Sequence, residues 1–164
     1  MMAATRNPKG FSLIEALIAV VLVGLSVTAL VVANHSFTQA NSFGADLSTA
    51  EFVIEQIREL TVLLPVVDPE TTTAPFGPEE TGLAAYDDVD DFDGATFSPP
   101  ISANRATLSD LAGFSQEVTV QKVSPSNFDT VVPDDDLSAF VRITVNVLQN
   151  GQQISSTNWI RARY

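Results

Sequence analysis

The sequence contains no cysteine, which excludes disulfides, thiolate metal sites and cysteine nucleophiles. It is also poor in basic residues, with 8 lysines and arginines against 20 acidic residues and a formal net charge of −12. Such a chain lacks the basic footprint of a nucleic-acid-binding protein, so we predict no nucleic-acid contact. The only histidine is His35, and no sequence pattern supplies it with triad partners. An enzyme is therefore the function class that we expect least.

Charge is also scarce near the N-terminus, where the segment from Phe11 to Ala33 is apolar except for Glu15. A helix of that length reaches roughly 34 Å, which is enough to span the hydrocarbon core of a bilayer. Arg6 and Lys9 precede it, so the positive-inside rule predicts a cytoplasmic N-terminus and an external remainder. An ordinary secretory signal fits less well, because its apolar region is shorter and its small-residue cleavage site follows that region.

The run from Lys9 to Leu17, KGFSLIEAL, resembles the prepilin cleavage and methylation motif of type IV pilins and type II secretion pseudopilins. The resemblance covers Arg6 to about Leu64. It implies that a prepilin peptidase cuts after Gly10 and then methylates the new N-terminal residue, Phe11. It also implies that Glu15 is the acidic residue on which assembly of the subunits depends.

The physical cost of Glu15 agrees with this implied role. A lone carboxylate at the bilayer centre costs about 3 kcal/mol on insertion scales, and a cationic partner offsets part of that cost. Cleavage creates an amine on Phe11, and in a filament the amine of a neighbouring subunit can approach. We therefore hypothesise that Glu15 pairs with the N-terminal amine of an adjacent subunit. The alternative is a plain single-span anchor in which Glu15 reaches towards the headgroups.

Residues 34–64 continue with helical periodicity, and their apolar stripe is predicted to pack on a head domain. The stripe consists of Phe37, Ala40, Phe43 or Gly44, Leu47, Ala50, Ile54, Ile57, Thr61 and Leu64. Pro65 and Pro69 are expected to end the helix. Major pilins often carry a proline within this helix, and none occurs between Pro8 and Pro65. This departure favours a pseudopilin or a minor pilin.

The middle of the chain is acidic, and no lysine or arginine occurs between Arg58 and Arg105. Within that gap the loop 87–93 carries five carboxylates, which repel one another when no counter-ion is present. They are Asp87, Asp88, Asp90, Asp91 and Asp93. Calcium takes several carboxylate oxygens, so these residues are candidate calcium ligands, although the EF-hand spacing does not fit. The alternative is a solvated loop, and on either interpretation Tyr86, Val89 and Phe92 anchor it to the core.

Apolar alternation predicts three C-terminal strands, at 114–123, 139–148 and 153–162. Asn150 and Gly151 form a strong hairpin signal, because both residues tolerate a positive φ. Placing them at the tip predicts that Val147 faces Ile154, and that Arg142 lies opposite Trp159, near its indole ring.

These elements predict an α+β, pilin-like fold, in which a long N-terminal helix packs on a small antiparallel sheet. We divide the chain into a leader peptide at 1–10, a transmembrane and assembly helix at 11–33, its amphipathic continuation at 34–64 and a periplasmic head at 65–164. The head contains the acidic loop 87–93 and a three-stranded meander at 114–162.

The residues and the resemblance together predict a structural subunit, a minor pseudopilin of a type II secretion pseudopilus. Its partners would be the prepilin peptidase, other pilin or pseudopilin subunits and the membrane, which it crosses once. The N-terminus would lie in the cytoplasm and the head in the periplasm, with extrusion from the inner membrane on assembly. Two alternatives stay open: a minor type IV pilin for adhesion, motility or DNA uptake, and a membrane-anchored module that binds calcium or another ligand.

Overall fold

A computed structural model describes residues 10–66, 68 and 76–163. Arg6, Lys9 and the rest of the predicted leader before Gly10 lie outside these described residues. The elements are helix α1 (Leu13–Thr61), a 3-10 helix (Asp90–Phe92), β1 (Thr96–Phe97), a second 3-10 helix (Ser109–Leu111), β2 (Phe114–Ser124), β3 (Asn127–Val131), β4 (Phe140–Gln149) and β5 (Gln152–Ala162). One long apolar helix precedes a small antiparallel sheet, which confirms the predicted α+β class.

The chain divides into two compact units between Gly44 and Ala45, within the length of α1. In the first unit every described side chain is exposed, including the apolar ones. Phe37 and Phe43 are 67% and 56% exposed, so the predicted burial of this part of the apolar stripe is wrong for the single chain. An apolar stripe is buried only where another surface covers it.

In the second unit the last turns of α1 cover one face of the sheet. Five helix residues and six strand residues meet in the core: Ala50, Val53, Ile54, Ile57 and Leu60 from α1, Val118 and Val120 from β2, and Val141, Ile143, Val145 and Val147 from β4. The packing of the helix on the meander is therefore as predicted, but it begins only at Ala50.

The C-terminal end of α1 comes at Thr61, earlier than the predicted Leu64. Pro65 disfavours helical backbone at the residue before it, which shortens the helix. The side chain of Arg161 on β5 donates hydrogen bonds to the carbonyl oxygens of Thr61 and Leu64, at 2.5 and 3.0 Å. A strand side chain thus satisfies carbonyls that the helix end leaves without intrahelical partners.

The sheet has the strand order β1-β2-β4-β5, and β3 pairs with β2 outside this path. The three predicted strands correspond to β2, β4 and β5, which pair antiparallel in that order. Strands β1 and β3 were not predicted. They flank the two ends of β2, with Thr96 opposite Glu117 and Val123 opposite Val131.

The β4–β5 hairpin turns at Asn150 and Gly151, both with positive φ, but its predicted register is wrong. A bulge between Val147 and Leu148 shifts the pairing by one residue, so that Val147 faces Ser155 and not Ile154. A one-residue shift moves every later side chain of β5 to the other face of the sheet.

The shift relocates Trp159, which pairs with Ile143 and shares its helix-facing side. Its ring lies 4.9 Å from the guanidinium carbon of Arg58 on α1. Arg142 is opposite Ile160 and lies on the other face, where it donates to the side chain of Gln121 at 3.0 Å. The predicted contact between Arg142 and Trp159 is therefore absent.

Candidate functional site

The predicted processing segment, Gly10 to Ser12, is exposed and lies outside the helix. Helix α1 begins at Leu13, two residues after the peptide bond between Gly10 and Phe11. Phe11 is 91% exposed, which leaves the predicted cleavage bond accessible in a non-helical backbone. A peptidase can reach such a bond without unwinding the helix.

Ser12 and Glu15 form a capping box at the start of α1. The backbone N–H of Ser12 and its hydroxyl each donate to Oε2 of Glu15, both at 2.9 Å. In return, the backbone N–H of Glu15 donates to Oγ of Ser12 at 3.3 Å. These bonds satisfy donors that a helix start otherwise leaves free. The signal was present in the sequence as Ser-x-x-Glu before an apolar run, so Glu15 has a local structural role besides the predicted one in assembly.

Helix α1 is long and apolar enough to cross a membrane, with a mean hydropathy of 2.8 over its most apolar 18 residues, none of them buried. Glu15 is the only charged residue between Phe11 and Ala33. The segment therefore presents apolar side chains around its whole circumference, as a helix in contact with lipid or with other apolar helices does.

A second candidate site lies in the acidic loop that follows α1. The backbone N–H of Val89 donates to the carbonyl of Pro65 at 3.0 Å, which ties the loop to the end of the helix segment. Val89 and Phe92 are fully buried in the core, and the ring of Tyr86 packs edge-on against Phe92 at 5.0 Å between centroids. These three residues anchor the loop, as predicted, and hold the aspartates between them in place.

Six carboxylates gather at this loop. Three overlapping sets each place their oxygens within 4.8 Å of one another: Glu79 with Asp88 and Asp90, Glu79 with Glu80 and Asp91, and Asp87 with Asp88 and Asp91. Because the sets share members, they form one contiguous group, named here the acidic cluster.

The structure brings together four of the five predicted candidates and adds two that the sequence did not single out. Asp93 is not part of the acidic cluster, because its Oδ1 accepts a hydrogen bond from the backbone N–H of Val120 at 2.8 Å. Glu79 and Glu80 join from the preceding segment. The only signal for them was their position in the region without basic residues, since the chain path that folds 79–80 onto 87–91 is a tertiary feature.

Three of the four aspartates of the acidic cluster are buried and only partly hydrogen bonded. Asp88, Asp90 and Asp91 are 0%, 1% and 1% exposed. Asp90 Oδ2 accepts from the backbone N–H of Gly77 at 3.0 Å, and Asp91 Oδ2 accepts from that of Asp87 at 2.9 Å. In the ionised state, the second oxygens of Asp90 and Asp91, together with Asp88 Oδ2, are buried and have no hydrogen-bond donor among the described residues.

The part of the chain that the structure describes supplies no basic side chain to neutralise the acidic cluster. Within the described residues, its carboxylates form no ion pair with lysine, arginine or histidine. Arg105 approaches the same loop, but its guanidinium donates to the carbonyl oxygens of Leu83, Ala84 and Tyr86 at 2.9, 3.2 and 2.5 Å. This contact braces the backbone and leaves the carboxylates without a counter-charge.

The consequence is a strong preference for the neutral acids. Burial raises the pKa of Asp88 to about 8, helped by the hydrogen bond that the protonated Asp88 donates to Asp90. A hydrogen bond to Asp91, followed by burial, raises the pKa of Glu80 to about 7. Burial also raises the pKa of Asp90, and partial desolvation together with the charge of Asp88 raises the pKa of the more exposed Glu79. Carboxylates this close together need a proton or a cation between them.

Comparison with known proteins bears on the N-terminal segment. Residues 5–31 match the family model described as the prokaryotic N-terminal methylation motif. The match includes Gly10, Phe11 and Glu15, and it confirms the resemblance to the type IV pilin and pseudopilin family. No curated protein and no solved structure matches the chain.

Proposed function

Since the chain carries the N-terminal methylation motif of type IV pilin-like proteins, we propose that it is a structural subunit of a pilin-like filament. A prepilin peptidase cuts after Gly10 and methylates Phe11. The segment 11–33, which is helical from Leu13 onwards, holds the subunit in the inner membrane, with the N-terminus cytoplasmic and the head, from residue 65 onwards, in the periplasm. Subunits then leave the membrane by adding to the base of a growing filament.

The observation that carries this proposal is the position of the motif in the fold. The bond to be cut is exposed and lies two residues before the start of α1. The helix that follows is apolar as far as Ala33, with Glu15 as its one charged residue. Phe37 and Phe43 extend this apolar surface beyond the predicted membrane span. A surface of this kind is covered by lipid before assembly and by neighbouring helices after it.

Glu15 supplies the charge that assembly would use. We propose that its carboxylate leaves the capping box with Ser12 and pairs with the methylated amine of Phe11 on an adjacent subunit. Such a pair offsets the cost of a charge in an apolar environment, which gives the assembled state a contact that the free subunit lacks.

Within the filament class, we propose a minor pseudopilin of a type II secretion pseudopilus. Two sequence features argue against a major pilin: α1 contains no proline, and the chain has no cysteine for the C-terminal disulfide that is common in major pilins. A minor type IV pilin is the competing assignment. Affinity purification of the full chain from cross-linked membranes separates the two, because secretion components should be recovered in the first case and pilus components in the second.

Mass spectrometry of the mature protein tests the proposal most directly. The expected N-terminus is methylated Phe11, with residues 1–10 removed, in cells that contain the peptidase. A Gly10→Ala or larger substitution should leave the precursor uncut, whereas Gly24→Ala, a matched change in the middle of the helix, should not. An intact Met1 or an unmethylated internal start at another residue would contradict the proposal.

A further inference from the structure

The acidic cluster has a feature that a solvated acidic loop does not share, which is burial of its unpartnered oxygens. Oδ2 of Asp88 and Oδ1 of Asp90 and Asp91 belong to side chains that are at most 1% exposed. A buried ionised carboxylate without a partner is strongly destabilising, so native proteins pair it, protonate it or use it to bind a metal ion. No basic residue in the described part of the chain pairs with these carboxylates.

We propose that the acidic cluster binds calcium through the carboxylates of Glu79, Glu80, Asp87, Asp88, Asp90 and Asp91. All of these ligands are hard oxygen donors, which exclude a preference for soft metals. Two oxygens on opposite sides of a calcium ion lie roughly 4.6–5.2 Å apart, and the oxygens of each set here lie within 4.8 Å.

Calcium suits this arrangement better than magnesium does. Magnesium demands near-octahedral geometry with shorter bonds and keeps several of its waters. Calcium accepts six to eight oxygens in irregular geometry, and it tolerates two-oxygen binding by a single carboxylate. A crowded group of six carboxylates with buried oxygens offers little room for retained waters.

The predicted consequence of binding is local stabilisation of the head. The ion would join the segment around Glu79 to the loop that is anchored by Val89 and Phe92. That loop is in turn bonded to Pro65 beyond the end of α1. The proposal does not depend on filament assembly, because it concerns the folded state of one chain.

Calorimetric titration of the full chain in detergent micelles at neutral pH tests the proposal. Calcium chloride, added after removal of metals with a chelator, should give saturable heat. The melting temperature of the chelated protein should rise by roughly 10 °C once free calcium is one hundred times the Kd. Magnesium at the same concentration should produce a much smaller shift.

Asp90→Asn removes one charge and keeps an oxygen for the N–H of Gly77. Without metal it should melt at a higher temperature than the wild type, because it relieves repulsion between buried carboxylates. Its response to calcium should fall at least tenfold in affinity. A residue that only held the loop by hydrogen bonds would show the reverse pattern, with destabilisation and an unchanged calcium response.

Two further variants distinguish a loss of calcium binding from a folding defect. Glu79 is exposed, so Glu79→Gln should fold normally and still weaken calcium binding. Asp135→Asn makes the same charge change in the exposed acidic run at 134–136 and should leave calcium binding unaltered.

Three results would overturn the proposal. One is the absence of heat and of a melting shift at calcium concentrations on the order of 10 mM, which exceed the Kd range of weak extracellular calcium sites. That outcome would mean that shared protons hold the carboxylates together. The second is an equal shift with magnesium, which would indicate general charge screening. The third is an undiminished calcium response in both Asp90→Asn and Glu79→Gln.

Discussion

At the scale of the residue, the carboxylate of Glu15 has two roles, one in the single chain and one in the proposed filament. In the single chain it accepts two hydrogen bonds from Ser12 and caps α1. In the proposed filament it pairs with the amine of a neighbouring Phe11. The two roles differ in chemistry, because a cap needs an acceptor oxygen while an ion pair needs a charge, and so substitutions can separate them.

We predict that Glu15→Gln keeps the capping box, loses the charge and impairs filament assembly nearly as much as Glu15→Ala. A glutamine at this position of a capping box serves as well as a glutamate. Ser12→Ala should weaken the cap by about 1 kcal/mol and leave assembly largely intact. Sheared filaments are compared with the membrane fraction by immunoblotting, and membrane insertion should be unchanged in all three variants. Normal assembly of Glu15→Gln would show that the charge is not needed.

At the scale of the element, the β4–β5 hairpin shows how one extra residue determines which side chains of a strand face the helix. The turn at Asn150 and Gly151 was predicted from its sequence, because positive φ is a local property. The bulge beside Val147 carries no comparable local signal. It brings Trp159 and Arg161 to the helix side of the sheet, where they contact Arg58 and the carbonyls of the helix end.

This register makes a prediction about Trp159. A double-mutant cycle between Arg58→Met and Trp159→Leu should show a coupling of about 0.5–1 kcal/mol, as expected for a partly exposed cation–π contact. The control cycle uses Arg142→Met with Trp159→Leu and should show coupling near zero, because the two side chains lie on opposite faces. Free energies of unfolding are measured by urea denaturation of the full chain in micelles. Stronger coupling to Arg142 would favour the register without a bulge.

At the scale of the whole molecule, the chain divides into two compact units between Gly44 and Ala45. The second unit includes the last turns of α1, and five of their side chains belong to the core of the head. A head defined from residue 65 onwards would lack these side chains. Burial of each of the four larger ones, Val53, Ile54, Ile57 and Leu60, contributes about 1.5–3 kcal/mol, so their sum is comparable to the whole stability of a typical domain.

We therefore predict that a chain beginning at Ala45 folds and unfolds cooperatively without detergent, whereas a chain beginning at Pro65 does not. Circular dichroism during thermal unfolding distinguishes the two, since only the first should show a single sharp transition. A third chain, beginning at Ala45 and carrying Ile54→Ala, should fold with a stability lower by about 2–5 kcal/mol. Cooperative unfolding of the chain from Pro65 would mean that the sheet has a sufficient core of its own.

The sequence by itself determined the features that depend on neighbouring residues. The motif around Gly10, Phe11 and Glu15, the long apolar helix, the apolar faces of β2 and β4 and the turn at Asn150 all rest on spacing within a few residues. Short-range sterics and hydrophobic periodicity are sufficient to specify them. The α+β class followed from combining these local patterns.

Only the tertiary structure decided which distant groups meet. It placed Glu79 and Glu80 beside Asp88 and Asp91, directed Asp93 to the backbone of β2, and set the face on which Trp159 lies. Burial of a carboxylate depends on the whole core that surrounds it, and the face of a strand residue depends on a register that a single bulge changes. Spacing along the chain predicts neither the burial of a carboxylate nor the face of a strand residue. The first property decides the proposed calcium site, and the second decides the helix-facing surface of the head.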